Sequence, residues 1–171
     1  MRIYLIGYMG SGKSSVGKKL AARMGFSFID IDQHIEMEQN LRISELFKQK
    51  GEAVFRQLEH KAILETFSHD NCVVSTGGGA PVFFDNMKQM QKFGLTIYLK
   101  AEAAVLASRL QTSLFSRPLL ADLKSEELVD FMQNQINERA AFYEQAHLHI
   151  EAKDLTPALL HERILLWLST A

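Results

Sequence analysis

Nine residues near the start of the chain, Gly7-Tyr-Met-Gly-Ser-Gly-Lys-Ser-Ser15, carry its clearest chemistry. Gly7-x-x-x-x-Gly12-Lys13-Ser14 is a phosphate-loop pattern, and its residue types follow from what a polyphosphate needs. Gly7, Gly10 and Gly12 let the backbone curl until successive N–H groups point inward at phosphate oxygens. A helix starting near Lys13 adds its positive N-terminal end. Lys13 brings a mobile point charge to the outer phosphates, and the Ser14 hydroxyl can ligate Mg²⁺. The competing reading is a plain glycine turn with a solvated lysine. The pattern falls directly after the apolar run Ile3, Tyr4, Leu5, Ile6 and at a helix start, which favours the nucleotide. The loop is silent about the acceptor.

Candidates for the acceptor's side are scattered. Asp30 and Asp32 in "FIDIDQHIE" alternate at the end of an apolar run, where ligands bind in parallel sheets. One could hold a metal-bound water and the other accept a hydroxyl's proton. Equally, Asp32 could be the N-cap of a helix beginning at Gln33, and spacing alone leaves the two readings tied. Arg56 and Glu59 are three apart in "GEAVFRQLE", so they can touch on a helix; spacing alone favours a solvated surface pair. Gly77-Gly78-Gly79 could bring backbone N–H groups close to a ligand or simply turn the chain. Arg117 and Arg139, taken singly, are ordinary surface arginines.

The elements that must position these groups alternate in type. Short apolar runs at Ile3 to Ile6, Phe26 to Ile29, Cys72 to Ser75 and Thr96 to Leu99, with a weaker fifth at Leu148 to Ile150, read as strands buried on both faces. Helical spacing separates them. Lys13 to Met24 stops at Gly25, Glu52 to Phe67 carries Phe55, Leu58 and Ala62 on one stripe, and Lys88 to Phe93 stops at Gly94. A further helix is expected over Glu127 to Ala146. The last has Thr156 as N-cap and Pro157 in the first position, with Leu159, Leu160, Ile164 and Leu165 expected on its apolar side. Such alternation argues for an α/β domain, a central parallel sheet with helices on both faces. Gln111 to Lys124 (QTSLFSRPLLADLK) has no clear period and contains Pro118, so it reads as a long surface loop, a kind that is more often functional than idle.

Composition narrows the function classes. With 171 residues, 47% hydrophobic, 23% charged and a formal net charge of -1, the chain fits one globular domain and lacks a broad electrostatic footprint for nucleic acid or anionic membrane. Any anion site must therefore be local. Cys72, the single cysteine, excludes an internal disulfide or a thiolate zinc cluster and reads as a small buried hydrophobe. No run approaches the length of a membrane span or a signal-peptide core, and the expectation is a cytoplasmic protein. A GTPase's Asn-Lys-x-Asp stretch is missing; the nearest Lys-Asp pair, Lys153-Asp154, follows Ala152. A small chain with a phosphate loop and a candidate lid suggests a kinase acting on a small molecule.

The ordered set "GYMGSGKSS", "DID", "FRQLE", "STGGGA", "SRPLL" and "ERAAFYEQA" resembles the shikimate kinase family over nearly the whole chain. The resemblance implies a three-layer P-loop kinase fold with a five-stranded parallel sheet and a mobile lid. It implies one kinase domain over residues 1–171, with a substrate-binding helical region at about 31–65 and the lid at about 111–124. The implied activity is ATP-dependent phosphorylation of the 3-hydroxyl of shikimate, with Mg²⁺. Asp32 would then contact the shikimate hydroxyls as the base, and Asp30 would support Mg²⁺ through water beside Ser14. Arg56 and Arg139 would clamp the substrate carboxylate, Glu59 would orient Arg56, and the backbone at Gly78 and Gly79 would approach the substrate. Gly10, Ser11, Gly12, Lys13, Ser14 and Ser15 would hold the phosphates, Arg109 would lie near adenine, and Arg117 would close over the phosphates and act in catalysis with Lys13.

The chain departs from the family where proline is frequent in the phosphate loop, having Tyr8 and Met9 there, and where its adenine loop often has asparagine, having Lys153. The spacing from Arg109 to Arg117 is also about one residue longer than in some relatives. Shikimate is the expected partner, with no nucleic acid or membrane and a monomeric state. A related hydroxy-acid kinase, such as gluconate kinase, or a non-catalytic ATP-binding module are the competing readings; Asp32 and Arg117, both present, speak against the latter.

Overall fold

The computed structural model describes residues 1–111 and 125–170. Its centre is β1 (Arg2–Ile6), where Ile3, Tyr4, Leu5 and Ile6 are all wholly buried. Period-two alternation sends Tyr4 and Ile6 to one face and Ile3 and Leu5 to the other, so a continuous apolar run feeds two separate cores. Around it stand β2 (Ser27–Asp30), β3 (Cys72–Ser75), β4 (Leu95–Lys100) and β5 (Leu148–Glu151), in the order β2-β3-β1-β4-β5 and all parallel. The five expected strands are present, with no end moved by more than one residue. Cys72 is buried, as expected.

Parallel strands need crossovers, and these supply the two outer layers. On the Ile3/Leu5 face, α1 (Lys13–Met24) contributes Val16, Leu20 and Ala21, and α7 (Pro157–Thr170) contributes Leu160 and Ile164. Leu159 and Leu165, expected on the apolar side of α7, are instead 40% and 53% exposed. The helix lies on the sheet along the narrow i, i+4 seam of Leu160 and Ile164, and the neighbouring leucines rotate outward. On the Tyr4/Ile6 face pack α2 (Ile31–Gln39), α3 (Ile43–Glu65), α4 (Asn86–Phe93) and Tyr143 of α6 (Ser125–Tyr143).

The sequence places the start of α3 at Glu52, but the helix begins nine residues earlier, at Ile43. Glu36 draws the chain round: its carboxylate accepts from the Ile43 N–H at 2.9 Å and from Arg42 at 3.3 Å. Gly51, at φ 80 and ψ 169, then breaks the helix immediately before Glu52. That conformation is open to glycine and costly for other residues, which is why the helical pattern restarts there. A third cluster joins Tyr8 of the phosphate loop to α5 (Ala103–Gln111) and to Leu128 and Met132 of α6. The expected lid at 111–124 lies outside the described residues, apart from Gln111 at the end of α5. Among the described residues, no helix is long and apolar enough to cross a membrane.

Candidate active site

The carboxyl ends of β1, β2 and β3 lie side by side, so whatever follows each strand meets the others at one edge of the sheet. After β1 comes the phosphate loop. Gly10 and Gly12 hold φ of 80 and 94, and α1 starts at Lys13 with its first N–H groups facing the loop. Lys13 is nearly buried; its Nζ donates to the Gly7 carbonyl at 2.7 Å and to the Tyr8 carbonyl at 2.9 Å. The loop's own oxygens thus surround the ammonium. Phosphate oxygens would offer it stronger, charge-assisted partners.

A cleft of about 250 Å³ runs along the outer side of the loop, past Gly10, Ser11, Gly12 and Ser15. Arg109 spans its far side, donating to the carbonyls of Gly10 at 3.4 Å and Ala152 at 3.1 Å. Lys19, Leu155 and Pro157 also line this cleft; the sequence marks Pro157 only as a helix start and does not single out the other two. Lys19 was within reach of that reasoning, since it lies one helical turn after Ser15.

Asp30 ends β2 and caps α2, its carboxylate accepting from the Gln33 N–H at 3.3 Å. The cap of α2 is therefore Asp30, not Asp32, which stands in the first turn of the helix. The other Asp30 oxygen accepts from the Ser14 hydroxyl at 2.6 Å, and Ser14 Oγ is 3.1 Å from Ser75 Oγ. These are hard oxygen donors gathered at the start of the phosphate helix, a set that suits Mg²⁺. Ser75 was missed, because only the register that pairs Asp30 with Ser75 brings it there.

The turn after β3, Gly77 to Gly79, gathers the rest. A Cβ on Gly77 would collide with Glu59 Oε1 and lie 3.2 Å from Asp32 Oδ1. One on Gly79 would lie 2.7 to 2.9 Å from three atoms of the Arg56 guanidinium. One on Gly78 would stand 3.3 Å from the Met9 nitrogen and 3.7 Å from Arg139 Nη1. Glycine is needed here for close approach, which the bare sequence left level with a simple turn. Tyr143, one turn beyond Arg139 on α6, donates its hydroxyl to the Gly78 carbonyl and fixes the turn from behind.

Arg56 and Glu59 are not the surface pair that spacing favoured. Glu59 is 0% exposed and Arg56 only 12%, with Nη1 to Oε2 at 2.7 Å. Docking of α3 beneath the glycine turn buries them, and a three-residue spacing cannot report that. Phe83 lies 4.2 Å and Phe55 5.0 Å from the guanidinium carbon, and Glu52 accepts from both Nε and Nη2 at 3.1 Å. Burial pushes the Glu59 carboxyl up to about 7, and the adjacent Arg56 only partly offsets it. Glu59 Oε1 accepts no hydrogen bond among the described residues, in keeping with that cost. Arg139 completes the group from α6, hydrogen-bonded to Gln135 and stacked over the Tyr8 ring at 5.2 Å. Two guanidinium groups and the Asp32 carboxylate therefore share one turn with the phosphate loop. Arg117 lies outside the described residues.

The family model described as shikimate kinase matches residues 9–169. The shikimate kinase of Parabacteroides distasonis is 41% identical over 162 residues, 94% of each chain. The crystal structure of the shikimate kinase from Bacteroides thetaiotaomicron superposes with a TM-score of 0.85 at 42% identity, covering 89% of this chain and 86% of that one. The shikimate kinase of Acinetobacter baumannii in complex with shikimate gives a TM-score of 0.88 at 32% identity, covering 99% of this chain and 93% of that one.

Proposed function

The chain belongs to the shikimate kinase family, and on that premise we propose that it transfers the terminal phosphoryl group of ATP to the 3-hydroxyl of shikimate. The products are ADP and shikimate 3-phosphate, a step toward chorismate and the aromatic amino acids. One observation supports the division of labour most directly. The Gly77–Gly79 turn meets the phosphate loop and Arg139 at Gly78, Glu59 and Asp32 at Gly77, and Arg56 at Gly79. A triphosphate held by the loop and an acid held by the arginines would meet across it.

In this reading, Arg56 and Arg139 hold the substrate carboxylate, each able to donate two parallel hydrogen bonds. Glu59 keeps Arg56 in place, and the backbone of Gly78 and Gly79 closes on the ring. Asp32 accepts the proton as the 3-hydroxyl oxygen bonds to the γ-phosphorus and the bond to the β,γ-bridging oxygen breaks. Lys13 and the N–H groups from Gly10 to Ser15 hold the phosphates and neutralise the charge that moves to ADP. Ser14 and Asp30 would hold Mg²⁺, which supplies further charge neutralisation at the phosphate oxygens. Arg109 borders the adenine side. Arg117, carried by a lid at about 111–124, excludes water and adds a positive charge over the phosphates.

We assign the chain one kinase domain, about residues 31–65 as its substrate-binding helical region, a monomeric state and a cytoplasmic location. Coupled assays of ADP release with shikimate, gluconate and nucleoside monophosphates test the acceptor. Turnover with shikimate alone is expected; turnover with gluconate and none with shikimate would reassign it.

A further inference from the structure

Arg56 lies between two carboxyl groups, those of Glu52 and Glu59. Nε and Nη2 both donate to Glu52 Oε1 at 3.1 Å, and Nη1 donates to Glu59 Oε2 at 2.7 Å. Gly79 packs directly against the same guanidinium: a Cβ there would stand 2.7 to 2.9 Å from Nη2, Nη1 and Cζ. A substrate carboxylate that pairs with Arg56 through two parallel hydrogen bonds therefore competes with Glu52 for the Nε–Nη2 edge.

The two resident carboxylates differ in their freedom to leave. Glu59 is wholly buried beneath the glycine turn. Glu52 is 56% exposed and follows Gly51, whose φ of 80 interrupts the helix. A side chain in the first turn after a helix break, already half in water, can swing out at little cost in packing.

We propose that Glu52 is an internal competitor for Arg56, holding the donors that the substrate carboxylate takes and yielding when the substrate binds. It is a specificity device resting on the shikimate kinase reading given above. Glu52 keeps the guanidinium fork ordered between turnovers and sets a threshold that weak or monodentate anions do not pass. A bidentate carboxylate also held by Arg139 does pass it.

The test replaces Glu52 by Gln, which preserves shape and a hydrogen-bond acceptor while removing the charge. Glu52→Gln lowers KM and the directly titrated Kd for shikimate by about three- to tenfold, the range expected for a half-exposed like charge, with kcat within about twofold. The gain shrinks between low and high salt, as a screened repulsion must. It vanishes with the neutral methyl ester of the same acid. Glu52→Ala moves in the same direction, and a thermal melt checks that both variants are folded. A wild-type enzyme that turns over shikimate beside variants whose KM is unchanged or raised overturns the inference, because Glu52 would then serve only to orient Arg56. Wild-type protein inactive on shikimate is a different result: it removes the acceptor assignment and the inference with it.

Discussion

The two halves of the site handle charge in opposite ways. The phosphate loop is contiguous, and within it Lys13 is satisfied by the carbonyls of Gly7 and Tyr8 only five or six residues away. The acid clamp draws on Asp32, Arg56, Glu59, the Gly77–Gly79 turn and Arg139, and it buries a carboxyl that titrates near 7 rather than at its ordinary value of 4.5. Anion binding can thus be written into a short local sequence when the backbone supplies the donors. Recognition of a particular acid needs side chains from distant segments, and here that costs native stability.

The substitution that should separate the halves most sharply is Asp32→Asn, because Asp32 stands where they meet. The cap of α2 belongs to Asp30, so the melting temperature should barely move. Loss of a general base lowers kcat by about 10²- to 10⁴-fold, while titrations still show ATP and shikimate binding. Near-normal turnover would mean that the hydroxyl loses its proton without Asp32.

Glu59→Gln probes the cost of the clamp. In the unfolded chain this carboxyl ionises around 4.5, in the folded protein only around 7. The folded state therefore holds the proton more tightly, and that advantage is full below 4.5 and lost as pH rises through 7. The gap corresponds to on the order of 3 kcal/mol. Melts of the two proteins should agree near pH 4.5, with the Gln variant becoming the more stable toward pH 8. A difference that is flat across this range would show that the Glu59 carboxyl ionises alike in the folded and unfolded chains. The shikimate KM of the variant should rise at the same time, since Arg56 loses its charged partner.

Arg139→Ala should injure one half alone. Loss of a charge-assisted hydrogen bond costs roughly 1.5 to 3 kcal/mol, about ten- to a hundredfold in shikimate affinity, with the KM for ATP nearly unchanged. Equal weakening of both substrates would place Arg139 between the phosphates and the acid rather than on the acid.

The same contrast explains what could be read from the chain before its fold was known. The phosphate loop was legible because backbone curl, helix start and lysine follow from adjacent residue types. The sheet was legible because each of Ile3 to Ile6 is apolar, which only a doubly covered strand tolerates. Burial of Glu59 was not, since a three-residue spacing is identical for a wet pair and a dry one; family resemblance suggested its role where local physics pointed to solvent. Which aspartate caps α2 depended on where β2 stops, a difference of two residues. Ser75 becomes visible only in the register that sets it beside Asp30. The outward turn of Leu159 and Leu165 depends on how narrowly α7 meets the sheet, and hydrophobicity does not encode that.

The finest division lies inside Asp30, whose two oxygens serve different ends: one caps α2 through the Gln33 N–H and the other accepts from Ser14. Asn caps a helix about as well as Asp, so Asp30→Asn should alter stability by less than about 0.5 kcal/mol. The amide removes a full negative charge beside Ser14 and can place its nitrogen where the second oxygen stood. If that oxygen helps hold Mg²⁺, half-saturation in a magnesium titration of the kinase reaction should rise by about three- to tenfold at low salt, with the shikimate KM unchanged. An unchanged magnesium requirement would leave Asp30 a helix cap that also anchors Ser14, and the metal would then depend on the hydroxyls of Ser14 and Ser75. A rise in the shikimate KM instead would mean that the cap aligns Asp32 two residues later, tying the phosphate half to the acid half through the first turn of α2.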